Sequence, residues 1–121
     1  MERHGVGTGV RTGKDPSHYG KYQVELEAEI PGNIEPIKEF LESSGYVLVD
    51  FDQWGLTYRS SEDPDLSADV DELDDYADNI RLVLRKGSLS KHDIGGARGY
   101  LDQIYRRIVY EVGTQIAHAV S

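Results

Sequence analysis

The side chains best suited to chemistry in this chain are carboxylates, and they are concentrated. Nine of the 22 acids fall within residues 62–78 (Glu62, Asp63, Asp65, Asp69, Asp71, Glu72, Asp74, Asp75 and Asp78), with no base among them. The other 13 acids are matched by 13 bases, so the formal charge of −9 belongs to one segment. A local negative field of this kind can hold cations, recruit a basic partner or repel nucleic acid. Within it, residues 63–74 place oxygen-bearing side chains at positions 1, 3, 5, 7, 9 and 12 of a calcium-type loop. Ala68 stands where the sharp turn needs glycine, and Asp74 where a bidentate Glu belongs, so no metal site is assigned. The reading that follows is a partner-binding surface made of Asp69, Asp71, Asp74 and Asp75. Salt adaptation is the bland alternative, since Asp is abundant and Lys scarce, but it would spread the acids more evenly.

Three other groups carry chemical potential. Glu25, Glu27 and Glu29 alternate along one strand face and would oppose Arg81 and Arg85 of a later strand, with Arg59 on the other flank. Such rows form a cross-strand charge ladder; the alternative is a carboxylate cluster serving as a metal or acid–base site, with the neighbouring arginines arguing against a bound cation. Lys91, His92, Gly95, Gly96 and Arg98 precede or open a long helix. Free backbone N–H groups beside an arginine suit an anionic nucleotide, which makes this a candidate ligand site. Tyr100, Arg107 and Tyr110 lie on the helix face away from its apolar arc, and Tyr and Arg are enriched at protein interfaces.

Much chemistry is excluded. With no cysteine there are no disulfides, thiolate zinc sites or cysteine nucleophiles. The four histidines lack metal-ligand spacing, and no serine sits in a nucleophile elbow. The Gly5–Lys14 run fails the phosphate-loop pattern, with Thr8 where a glycine is needed and Asp15 after the lysine. No catalytic residue or cofactor is therefore assigned. A pI near 4.8 argues against direct nucleic-acid binding. No apolar run approaches a bilayer span, and the polar start lacks a secretory centre, so a cytoplasmic protein without membrane contact is expected.

The elements that must position these groups follow from periodicity. Residues 1–20 read as a flexible Gly-rich N-terminal arm, and 21–121 as one α+β domain containing the acidic segment 62–78. Tyr22–Ile30 alternates as a half-buried strand. Asn33, Pro36 and Gly45 bracket a helix whose apolar stripe is Ile37, Phe40 and Leu41. Tyr46–Phe51 and Leu56–Ser60 read as a hairpin, and Asn79–Lys86 as a further strand. Asp63-Pro64 reads as the start of a short helix with Leu66, Val70, Leu73 and Ala77 on one side. A long C-terminal helix follows Gly99, with an apolar arc from Ala97 to Val120. The order β-α-β-β-(α)-β-α predicts a four-stranded, mainly antiparallel ferredoxin-like sheet with that helix appended. The helix's surplus apolar length predicts a homodimer. The functional expectation is an interaction module, of inhibitor or immunity type, docking on a basic nucleic-acid-binding protein. The alternatives are a nucleotide binder using residues 91–99 and an enzyme using Glu25, Glu27 and Glu29.

Overall fold

The computed structural model describes residues 8–72 and 79–120, with Thr8 and residues 113–120 described by backbone alone. Its strands are β1 (Thr8–Lys14), β2 (Tyr22–Pro31), β3 (Tyr46–Phe51), β4 (Gly55–Ser60), β5 (Leu66–Glu72) and β6 (Asn79–Leu89). The helices are α1 (Glu35–Ser43) and α2 (Ile94–Val120), the latter entered through a single 3-10 turn at Lys91–Asp93. All six strands form one sheet in the order β1-β2-β6-β5-β4-β3, and every neighbouring pair is antiparallel. The α+β class and the long C-terminal helix are as expected. The four-stranded ferredoxin-like sheet is not: there are six strands, and β3 to β6 run as a plain meander.

Two local differences produce that change. The acidic segment is a strand and not a helix. Leu66 and Val70 satisfy a helical period, but Leu66, Ala68 and Val70 also satisfy a period of two, and all three are buried while Ser67, Asp69 and Asp71 face outward. A helix would have crowded aspartates at its negative end, whereas the strand sets them beside arginines. Leu73 and Ala77, the rest of the expected stripe, lie outside the described residues. The second difference is β1. The Gly-rich stretch expected as an arm pairs with β2 from Thr8↔Ala28 to Lys14↔Tyr22. Glycines at 9 and 13 leave little side-chain pattern to reveal a strand.

The local signals around α1 hold, and the start of α2 differs. Asn33 Oδ1 accepts the Glu35 N–H at 3.0 Å, Pro36 sits in the first turn of α1, and Gly45 stops the chain at φ +90. The α2 helix begins at Ile94, ahead of Gly95, Gly96 and Gly99, and not after them. Those glycines are exposed while Ala97 and Leu101 are buried, so packing of one face offsets their helix cost of about 1 kcal/mol each.

Both helices cover one face of the sheet. The core is Leu26, Ala28 and Ile30 from β2, Ile80, Leu82 and Leu84 from β6, and Leu66, Ala68 and Val70 from β5. Ile37 and Leu41 of α1 and Leu101, Ile108 and Val112 of α2 close it. Tyr58 is fully buried among them, and its hydroxyl donates to Glu42 Oε2 at 2.9 Å, tying β4 to α1. Among the described residues, no helix lies on the opposite face of the sheet. Among the described residues, no helix is long and apolar enough to cross a membrane.

Gly55, which opens β4, approaches β5 so closely that a Cβ there would lie 1.9 Å from Asp71 Oδ1 and 2.7 Å from the Val70 carbonyl oxygen. Gly55→Ala is therefore expected to lower unfolding free energy by roughly 1–3 kcal/mol in urea titration. An unchanged midpoint would show that β4 and β5 move apart freely.

Candidate functional site

The open face of the sheet is a grid of charge. Register places Arg11, Glu25, Arg85, Ser67, Arg59 and Val47 in one row across all six strands. A neighbouring row holds Glu27, Val83, Asp69, Thr57 and Asp50. A third holds Glu29, Arg81 and Asp71. The predicted opposition of Glu25 and Glu29 to Arg85 and Arg81 is thus present, with β5 on the far side. Arg85 lies 2.7 Å from Glu25 and 3.4 Å from Asp69, and Arg81 lies 3.2 Å from Asp71. Arg11 pairs with Glu25 and reaches within 3.8 Å of Glu27. Val83, between the two arginines of β6, is only 7% exposed although it faces the open side.

Burial alone would raise the Glu25 carboxyl pKa, but hydrogen bonds from Arg85 and Arg11 outweigh it and hold the pKa below its usual value. A carboxylate kept ionised by two guanidiniums is poorly suited to exchanging a proton near neutrality. Among the described residues no group of acids and histidines could hold a metal ion. The ladder is structural chemistry: opposite charges across strands stabilise by roughly 0.2–1 kcal/mol per pair.

Three of the six described acids of the segment expected to project toward a partner are engaged by bases of β6. Asp63 accepts from Lys86, Asp69 from Arg85 and Asp71 from Arg81. Asp74 and Asp75 lie outside the described residues. On α2, Tyr100 and Tyr110 are exposed, and the Arg107 guanidinium sits 5.4 Å above the Phe40 ring. Tyr100 and Arg107 border a 180 Å³ cleft with Tyr46, Leu66 and Ile104; Tyr110 is not part of its lining. Lys91 and His92 are exposed on the 3-10 turn. A Cβ at Gly95 or Gly96 would meet nothing within 4 Å, so this stretch is an open helix start, and Arg98 is turned to Thr12 Oγ1 at 3.3 Å.

Two features escaped the sequence reading. The first is Asp15, the one buried charged residue among those described. It sits in the β1–β2 turn and accepts from the Ser88 N–H at 2.7 Å and the Ser17 N–H at 2.8 Å. His18 Nδ1 lies 3.1 Å from the same carboxylate. Ser88 occupies the left-handed region at φ 58, and a Cβ at Gly87 would come within 2.7 Å of Asp15 Oδ2. The carboxylate thus clamps an irregular Gly87–Ser88 step of β6, where the β2–β6 register shifts. No local signal could reveal a partner 73 residues away.

The second feature is a patch at the β3 edge. Val47, Leu48, Val49, Phe51 and Trp54 are all exposed, with Phe51 at 71% and Trp54 at 54%. The β3–β4 turn is built by Asp52, whose Oδ1 accepts from the N–H groups of Trp54 and Gly55. The Trp54 carbonyl in turn accepts from the Glu72 N–H at 2.9 Å, which brings the end of β5 beside the turn. Asp50, Asp52 and Glu72 are exposed at this end of the sheet. The run Val47-Leu48-Val49 was the available signal, but it was consistent equally with a strand buried on both faces.

Comparison with protein-family models, with curated protein sequences and with solved structures finds no match.

Asp15 yields a prediction with a definite sign. Burial raises its pKa, but the Ser88 and Ser17 N–H groups and then His18 outweigh that, so the pKa lies below the usual 3.8. A depressed carboxyl pKa stabilises the fold above the unfolded-state value and stops doing so as pH falls through the folded-state value. Asp15→Asn should therefore cost roughly 1–3 kcal/mol at neutral pH, and the deficit should shrink as pH drops below about 4. Chemical denaturation of both proteins across that range checks this; a deficit independent of pH would remove the carboxylate charge from the explanation.

Proposed function

We propose that this chain is a protein-interaction module, with the charge logic of an inhibitor or immunity protein, that docks on a basic protein surface. The nucleic-acid-binding face of another protein is the partner class that fits. The observation that carries the reading is the coexistence of two exposed aromatic side chains, Phe51 and Trp54, with Asp50, Asp52 and Glu72 at one end of the sheet. Aromatic faces attract guanidinium and ammonium groups, and neighbouring carboxylates pair with the same cations. Aromatic side chains anchored near acids thus select for arginine and lysine. The net charge of −9 adds long-range attraction, which raises association rates and makes them salt-sensitive.

This placement differs from a surface built on Asp69 and Asp71, because those two are already paired with Arg85 and Arg81. An acid already paired with an arginine gains little from a second base, whereas Asp50 and Asp52 are exposed and accept backbone N–H groups, from Phe51 and from Trp54 and Gly55, with a charge still to be matched. The ligand-site alternative at Lys91, His92, Gly95, Gly96 and Arg98 falls on an open helix start, where a Cβ at Gly95 or Gly96 would meet nothing within 4 Å.

Trp54 is the only tryptophan, so its fluorescence reports directly on the proposed surface. Titration with a lysine- and arginine-rich peptide should shift its emission to the blue as the ring leaves water. The affinity should fall as salt is raised. Trp54→Ala, followed by calorimetry, should weaken binding by about tenfold or more, equivalent to at least ~1.4 kcal/mol. Asp69→Asn with Asp71→Asn should instead reduce stability with little effect on binding. The opposite pattern, binding lost with the two aspartates and kept without Trp54, would return the site to β5.

A further inference from the structure

We propose that the basic partner engages this surface by adding an extended strand to the free edge of β3, with a basic side chain lodged beside Asp50. This rests on the docking reading above and specifies its geometry. Among the described residues β3 is terminal in the sheet order, and no described strand pairs with the backbone groups on its outer side. Exposed sheet edges are a recurrent mode of peptide recognition, in which main-chain hydrogen bonds supply affinity and alternate side chains supply selectivity.

The two edges of the sheet are unlike. β1 carries Arg11 and Lys14, two glycines and a single large apolar residue, Val10, which is the composition of a protected edge. β3 reads Tyr46-Val47-Leu48-Val49-Asp50-Phe51, with one charge in six residues, and all but Tyr46 are exposed. Val47 and Asp50 face the open side, which no described helix covers, and Leu48 and Phe51 on the helix side are exposed for a reason of length. α1 has nine residues and spans about 14 Å, whereas the six residues of β3 span about 20 Å, and a tight turn at Ser44–Gly45 joins them. The helix ends before the strand does. The apolar side chains of the edge are exposed on both sides of the strand, Val47 on the open face and Leu48 and Phe51 on the helix side.

Register specifies what the added strand should look like. Leu48 and Phe51 pair with Tyr58 and Leu56, so they lie on the helix side of the sheet. Val47 and Asp50 pair with Arg59 and Thr57 on the open side. Asp50 continues the row that contains Asp69, while Val47 continues the row that contains Arg59 and Ser67. A base fits opposite Asp50, and an apolar residue fits opposite Val47. The irregular step at Val49 locally increases twist and limits how long a strand can pair there. A second copy of this chain fits less well, because it would bring Asp50 and Asp52 of two molecules, each of charge −9, to one seam.

The test uses the full chain and three short synthetic peptides: one alternating arginine and valine, its glutamate–valine counterpart, and the arginine–valine peptide N-methylated at every second residue. Trp54 fluorescence reports binding, and amide hydrogen exchange reports protection of β3. The arginine–valine peptide should bind and slow exchange of outward-facing amides within Val47–Phe51. The glutamate peptide and the N-methylated peptide should each bind at least about tenfold more weakly. Equal binding of the N-methylated peptide, without new protection in β3, would overturn strand addition while leaving the acidic–aromatic docking surface standing. No binding of any basic peptide would overturn both readings. A dimer in light scattering whose β3 amides are already protected without peptide would overturn the proposal in favour of a second copy.

Discussion

Two arginines in the middle of an open sheet face set the terms for the rest of this molecule. Arg81 and Arg85 belong to β6, the strand that pairs with β2 on one side and β5 on the other. Each faces carboxylates across a strand boundary, and together they allow two acid-rich strands to lie on either side of one basic strand. Their register cannot slip by a single residue, because that would turn Leu82 and Leu84 away from the helices and bring the arginines into the core. The same arrangement explains why a segment so rich in aspartate forms a strand: its outward side chains find guanidiniums at fixed positions. Asp15 adds a second constraint on β6 from the β1–β2 turn, holding the one irregular step of that strand with a buried carboxylate.

The ladder engages Asp69 and Asp71, and Lys86 engages Asp63, while Asp50, Asp52 and Glu72 remain exposed at one end of the sheet. The chain leaves β5 at Glu72 and re-enters β6 at Asn79 at the same end of the sheet as the Asp52–Gly55 turn. Asp50, Asp52 and Glu72 there accompany the exposed rings of Phe51 and Trp54. Two features expose this end: α1 is shorter than the strand after it, and among the described residues no strand lies outside β3 in the sheet. A functional reading anchored on this end rests on unsatisfied apolar area and solvent-facing acids together, which is stronger than either alone.

Much of the local architecture was legible because it obeys local rules. The alternation of Tyr22 to Ile30, the stripe Ile37, Phe40 and Leu41, the turn before Trp54 and the alternation through Ile80 and Leu84 each depend on neighbours in sequence. The Glu25–Arg85 opposition was legible too, since it required only that those two strands be adjacent. The errors came where local rules tie or fall silent. Leu66 and Val70 fit both a helical and an extended period, and the presence of strands on both sides decided between them. Gly9 and Gly13 gave β1 no side-chain signature. The glycines at the start of α2 argued against helix until burial of Ala97 and Leu101 outweighed them.

By itself, the amino-acid order determined that this chain builds an α+β domain with a half-buried sheet, a long terminal helix and a strongly uneven charge. It also placed carboxylates and arginines on the same faces of their strands, because side-chain direction along a strand is fixed by a period of two. Only the tertiary structure decided which of those acids are paired with arginines, and which strands stand at the edges of the sheet. Those outcomes depend on strand order and register, which join residues far apart in sequence and carry no signature in any single stretch of it.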